Sequence, residues 1–161
     1  HTRTSSSPTP FGFANGRLGT IFVSEAVAGA PGASVLSSYR IRLNGEISLI
    51  DGSVGAGQSA ACWVVVTKNG KYAYATNTAS NNLSTFSINS FSGDIGVREA
   101  VSATTPAGPI DAALTNNSKF LYVLNSGGNS ISVFGVGGNG NLNSVQLVGG
   151  LPQGATGLAA K

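Results

Sequence analysis

One stretch of this chain recurs at a fixed interval, and that recurrence limits the possible folds more than any single residue does. Lys71-Tyr72-Ala73-Tyr74-Ala75-Thr76-Asn77 returns 48 positions later as Lys119-Phe120-Leu121-Tyr122-Val123-Leu124-Asn125. Leu83-Ser84-Thr85-Phe86-Ser87-Ile88 returns at the same shift as Ile131-Ser132-Val133-Phe134-Gly135-Val136. A weaker copy lies upstream in Gly19-Thr20-Ile21-Phe22-Val23-Ser24-Glu25 and Leu36-Ser37-Ser38-Tyr39-Arg40-Ile41. The turn signals Gly45-Glu46-Ile47, Gly93-Asp94-Ile95 and Gly140-Asn141-Leu142 keep step with them. Self-similarity at a fixed period is the signature of a repeat architecture, in which each copy is one supersecondary unit.

Each unit reads as four short strands, expected in the last full copy at about 110–114, 120–125, 130–136 and 142–148. Ile131-Ser132-Val133 alternates with the period of two of a half-buried strand, and Leu121-Tyr122-Val123-Leu124 is the continuous apolar run of one buried on both faces. Asn116-Asn117-Ser118, Gly127-Gly128-Asn129 and Gly137-Gly138-Asn139-Gly140 supply residues suited to tight reversals. No capped amphipathic helical pattern interrupts the series. The expectation is an all-β chain: a partial β-propeller of about three four-stranded antiparallel blades plus one extra strand. The blades fall at about 10–56, 57–104 and 105–149, after a disordered or extended N-terminus at 1–9. Leu151-Pro152-Gln153-Gly154 echoes Thr105-Pro106-Ala107-Gly108, which places a closing strand at 154–160. A β-sandwich of this length would have no need of the 48-residue echo.

Composition removes several functions. The 161 residues include nine Lys/Arg and six Asp/Glu, so 9% are charged where about 25% is usual. The net charge of +3 is spread along the chain, without the clustered cations and interleaved aromatics of a nucleic-acid binder. No apolar run is long enough for a membrane-spanning helix, and 1–10 lacks the apolar core of a signal peptide. Cys62 is alone, which excludes an intrachain disulfide or a cysteine-built metal site. No cofactor or metal is expected. Low charge, the lone thiol and abundant Gly, Ser, Thr and Asn favour a secreted or periplasmic setting over the cytoplasm. Asn82-Leu83-Ser84 and Asn116-Asn117-Ser118 match glycosylation acceptors, relevant only if the source glycosylates secreted proteins. The first residue is not Met, which suggests a processed, trimmed or fragmentary chain.

Thr67-Lys68-Asn69-Gly70-Lys71-Tyr72-Ala73-Tyr74-Ala75-Thr76-Asn77 and Thr115-Asn116-Asn117-Ser118-Lys119-Phe120-Leu121-Tyr122-Val123-Leu124-Asn125 resemble a known blade signature. It belongs to the lactonase-type seven-bladed propellers, which include 6-phosphogluconolactonase and carboxymuconate cyclase. Gly154-Ala155-Thr156-Gly157-Leu158-Ala159-Ala160 is similar to that family's C-terminal end. The resemblance implies a C-terminal part of such a ring and, for a complete ring, a cavity lined by His, Arg and Glu. This chain departs at those places. Gly108-Pro109-Ile110-Asp111 stands where the family carries Gly-Pro-Arg-His, and Asn77-Thr78 and Asn125-Ser126 lack the Glu that follows the blade's Asn. The only histidine is His1. Lactone opening requires a base for water and a donor or cation for the developing oxyanion. No catalytic residue is therefore assigned.

Three residues remain as candidates at a channel mouth. Asp111, where an inner strand begins, reads as a ligand contact or weak base, or as an aspartate satisfied by nearby backbone N–H groups. Trp63 offers an indole for stacking on a sugar or other ring, or simply packs in the core. Glu25 replaces the Asn of the other blades, and a carboxylate there needs a functional role or an ion pair with a local Arg. Cys62 reads as an inert buried thiol, since no His is available to activate it. Gly135-Val136-Gly137-Gly138-Asn139-Gly140 joins two strands and opens no helix, so it is not a phosphate loop. The functional expectation is a non-catalytic scaffold or binding module, joined through bare blade faces to a second copy or to remaining blades of a longer chain. A small sugar-like ligand is the expected guest. The alternative is a sugar-lactone hydrolase, active only when further blades complete the cavity.

Overall fold

The computed structural model describes residues 2–161; His1 lies outside the described residues. Three antiparallel sheets follow one another along the chain. The first holds β1 (Pro10–Asn15), β2 (Thr20–Glu25), β3 (Val35–Ile41), β4 (Ile47–Leu49) and the short β5 (Val54–Gly55). The second holds β6 (Ala61–Val66), β7 (Tyr72–Asn77), β8 (Asn82–Ile88) and β9 (Ile95–Thr104). The third holds β10 (Pro109–Leu114), β11 (Phe120–Asn125), β12 (Ser130–Val136) and β13 (Leu142–Gly149). A single 3-10 turn, Val27–Gly29, is the only helical element among the described residues.

Each sheet is a meander in sequence order, except that β5 pairs with β3. The fifth strand arises because the outer strand of the first sheet is broken after Leu49. The Asp51 carbonyl accepts from the Ser38 N–H, and Asp51 Oδ2 accepts from the Ile95 N–H of the next sheet at 2.8 Å. The break therefore ties two sheets together. Glycines of the 48-residue landmark occupy the third turn of each sheet with φ of +81° at Gly45, +86° at Gly93 and +84° at Gly140, a left-handed conformation that residues with a Cβ resist.

Period-two alternation sends side chains of each strand to opposite faces, so a middle sheet must be apolar on both. From β7, Ala73 and Ala75 turn toward the first sheet and pack with Phe22, Leu36, Val64 and Phe86. Tyr74 turns the other way and packs with Leu83, Leu121, Val123 and Phe134. Its hydroxyl donates to the Gly140 carbonyl of the third sheet at 3.0 Å. Burial, with the charge of Tyr72 and partly offset by Arg98, raises the Tyr74 pKa from 10.0 to about 12. Each large apolar side chain removed from water contributes roughly 1.5–3 kcal/mol, so these two inter-sheet layers hold the sheets in order.

The sheets splay. β1 and β10 both lie against β6, whereas the outer strands of neighbouring sheets touch sparsely. First strands gathered together with outer strands apart describe wedges about an axis, which is the propeller arrangement. At the close side, a Cβ on Gly12 of β1 would stand 2.7 Å from the Cys62 carbonyl oxygen and 2.9 Å from Trp63 Cα. Only glycine permits that approach of two inner strands.

Residues 154–160, expected as a closing strand, form no ladder. Their repeat equivalents β6 and β10 are each paired by the strand that follows them. No described strand follows this segment, so its backbone has no such partner. It is tethered instead by the Leu158 N–H, which donates to Asp111 Oδ2 at 2.7 Å.

Candidate functional site at the axial cleft

All three inner strands change register near their start: β1 between Pro10 and Phe13, β6 between Ala61 and Val64, and β10 between Pro109 and Asp111. A bulge inserts an unpaired residue and re-aims its side chain. Phe11, Trp63 and Ile110 fall at these irregularities. Together with Asp111, Thr156 and Gly157 they line a cleft of about 350 Å³. The repeated bulge thus converts three strand starts into one apolar wall, and the chain's last segment closes its far side.

Asp111 is 9% exposed. Its Oδ1 accepts from the Ala112 N–H at 2.7 Å, and Oδ2 from the Leu158 N–H. Burial raises the carboxyl pKa above its ordinary 3.8, and the two backbone donors oppose that shift. The sole ion pair among the described residues is Arg42–Glu46, so no cation neutralises this carboxylate. Trp63 is half-buried; its backbone N–H donates to Thr76 Oγ1 at 2.9 Å, and its ring both packs on the second apolar layer and faces the cleft.

Glu25 is elsewhere. It ends β2 on the outer side of the first sheet, outside the cleft, and is 0% exposed. The expected partner was an Arg; the structure gives it hydroxyls and one backbone N–H. Ser37 Oγ donates to Oε2 at 2.7 Å. Oε1 receives the Ser5 hydroxyl, the Ser7 N–H at 3.0 Å and the Tyr39 hydroxyl at 3.4 Å. Hydrogen bonds satisfy a buried carboxylate that no cation reaches. Cys62 is a half-buried free thiol beside Trp63.

Of the three channel-mouth candidates, Asp111 and Trp63 line this one cleft and Glu25 does not, while Phe11 and Ile110 were not singled out from the sequence. Both occupy the same repeat position as Cys62, just before the positions of Trp63 and Asp111, so the echo itself was the available signal. The role of 156–158 carries no such signal, because a tether between Leu158 and Asp111 exists only in three dimensions.

Charge is distributed by end. The turns that join second to third strands, and the links between sheets, lie at the cleft's end. At 26–34, 56–60, 78–81, 105–108, 126–129 and 150–157 they contain no Lys, Arg, Asp or Glu. The opposite turns carry Arg17, Arg42, Glu46, Lys68, Lys71, Asp94 and Lys119. Asp111 is thus the one charged residue lining the cleft, and Glu25 at the end of β2 is the other carboxylate at this end.

Three wedge-like meanders around bulged inner strands define the chain as a β-propeller segment. The family described as "Lactonase, 7-bladed beta-propeller" matches residues 34–152, and the chain belongs to that family. Among solved structures, a functionally unknown protein from Desulfotomaculum acetoxidans DSM 771 superimposes with a TM-score of 0.69 at 18% identity, over 82% of this chain and 39% of that one. A candidate 6-phosphogluconolactonase from Bacteroides fragilis NCTC 9343 gives 0.65 at 18% identity, over 80% of this chain and 35% of that one. The periplasmic gluconolactonase of Pseudomonas aeruginosa gives 0.53 at 15% identity, over 91% and 59% respectively. At these identities the likeness is one of fold, and this chain spans less than two thirds of each of those proteins. No curated protein sequence matches the chain.

Proposed function

We propose that this chain is a propeller scaffold that assembles through its two outermost blade faces and offers its axial cleft to an uncharged ring-shaped ligand. The carrying observation is that one face of each end sheet lies outside both packed layers. On the first sheet these are Ile21, Val23, Tyr39 and Ile47, with Phe13 64% exposed. On the third they are Tyr122, Leu124, Ile131 and Val133, with Phe120 40% exposed. Faces of this composition mark interaction sites. They are also the repeat equivalents of faces that already meet inside the chain. A second copy set face to face would bring the blades to six, within the four to eight of described rings.

The ligand reading rests on the cleft. Phe11 and Trp63 supply ring faces, Asp111 supplies an acceptor, and the surrounding loops lack any cation to bind phosphate. A neutral sugar-like ring fits these groups better than a phosphorylated one. Sedimentation analysis at micromolar concentration tests the scaffold: a concentration-dependent dimer is the expected result, and a strict monomer throughout would refute it.

A second reading, a sugar-lactone hydrolase, is favoured by family membership and by a carboxylate whose pKa is raised in a cleft. It requires further blades to supply an oxyanion donor. The purified chain is expected to hydrolyse gluconolactone no faster than buffer. Turnover that Asp111→Ala abolishes would replace the scaffold reading with this one.

A further inference from the structure

We infer that residues 3–9 form a displaceable cap over the outer face of the first blade, with Glu25 as its clasp, so that the segment governs docking of a second copy's last blade. The inference rests on the assembly reading above and adds a gate to it. Glu25 occupies the repeat position of Asn77 and Asn125, and all three engage a serine of the next strand. Asn77 Nδ2 donates to Ser84 Oγ, Asn125 Nδ2 donates to Ser132 Oγ, and Glu25 accepts from Ser37 Oγ. The two asparagines lie beneath a preceding blade. Among the described residues it is 5–7 rather than a blade that covers Glu25, which is equally buried.

The cap is fastened along its length. The Ser6 N–H donates to Tyr39 Oη at 2.8 Å, and the Ser6 and Ser7 hydroxyls pair with Ser53 Oγ at 3.0 and 2.7 Å. Ala26 and Val27 donate their N–H groups to the Thr9 and Pro8 carbonyls. Arg3 and Ser5 then wall a groove of about 220 Å³ with Ile21, Val23, Tyr39 and Ile47, the apolar residues an incoming blade would contact. The occupant that fits is the last blade of another copy. Its Tyr122 and Leu124 are the repeat equivalents of Tyr74 and Thr76, and Tyr74 already packs against the following blade within the chain. Cap and blade cannot share the surface.

Two variants of the 161-residue chain separate the parts. Glu25→Ala removes the clasp. Ser53→Gly leaves Glu25 intact but removes the Oγ with which the Ser6 and Ser7 hydroxyls pair. In both, the Ser6 and Ser7 amides are expected to exchange roughly tenfold faster, as loss of a hydrogen bond implies, and an apolar-surface dye to bind more strongly. Both are also expected to dimerise at roughly tenfold lower concentration than the unaltered chain. Unchanged exchange and dye binding in Ser53→Gly, with circular dichroism showing it folded, would overturn the cap. Faster exchange with an unchanged dimerisation constant would overturn the gate. If exchange and dye binding rise while no form of the chain ever dimerises, the cap stands and the scaffold reading falls.

Discussion

Asp111 and Glu25 are the chain's two buried carboxylates, and each is held without a cation. Their partners differ in kind. Glu25 receives mostly hydroxyls, whereas Asp111 receives only backbone N–H groups, one from its own strand and one from the terminal segment. For Asp111, burial outweighs those donors and raises the pKa in the folded state. A raised carboxyl pKa means that the folded state binds this proton more readily than the unfolded state does. The stabilising contribution is complete below the ordinary value of 3.8 and is lost as pH rises through the raised one. Lowering pH from 7 toward 4 is therefore expected to stabilise the parent chain relative to Asp111→Asn, which lacks the titration. Urea denaturation of both proteins at the two pH values measures the difference. A larger relative loss for the parent on acidification would show that the hydrogen bonds, not burial, dominate.

At the scale of elements, the buried asparagine that ends β7 and β11 is a staple between neighbouring strands. Asn77 Nδ2 donates both to Asn82 Oδ1 and to Ser84 Oγ at 2.9 Å, and Ser84 Oγ passes its own proton to the Ala100 carbonyl at 2.7 Å. Strands two, three and four of that sheet are thereby joined by side chains as well as by their ladders. Asn77→Ala takes away the donor that Asn82 Oδ1 and Ser84 Oγ accept from in a buried layer, which is expected to cost about 1–3 kcal/mol. The denaturation midpoint of the variant checks this; a loss under half a kcal/mol would leave the staple without energetic weight. The sequence motif that ended each aromatic strand in Asn is therefore a fold signature with a mechanical cause. Asn82 belongs to a glycosylation acceptor by pattern, but it is buried and bonded to Gln58. The Asn116 acceptor lies on an exposed turn.

At the scale of the whole molecule, the strand side chains of both end faces are mainly apolar, with the carboxylates Glu25 and Asp111 buried there, while the charged turns lie at one end of the axis. Association through these faces is accordingly expected to change little between low and high ionic strength, since no exposed ion pair is formed that salt could screen. Dimerisation constants measured by sedimentation in dilute and concentrated sodium chloride test this, and a steep weakening with salt would point to the charged turns instead. Much of this architecture was legible beforehand. Strand boundaries in the third sheet fall within a residue of those expected, because a 48-residue echo and period-two patterning are local properties that each copy states independently. The split outer strand of the first sheet was not legible, since its cause is Asp51 reaching the Ile95 N–H of the next sheet. Nor was the hydroxyl cage of Glu25, which draws on residues far apart in the chain. By itself, then, the sequence determined what repeats: strand number, turn chemistry, and the apolar faces that require each blade to find a neighbour. Only the tertiary structure decided what meets. The bulged inner strands converge on one cleft and the terminal segments fold back onto two buried carboxylates, because those contacts depend on packing between units rather than on patterning within them.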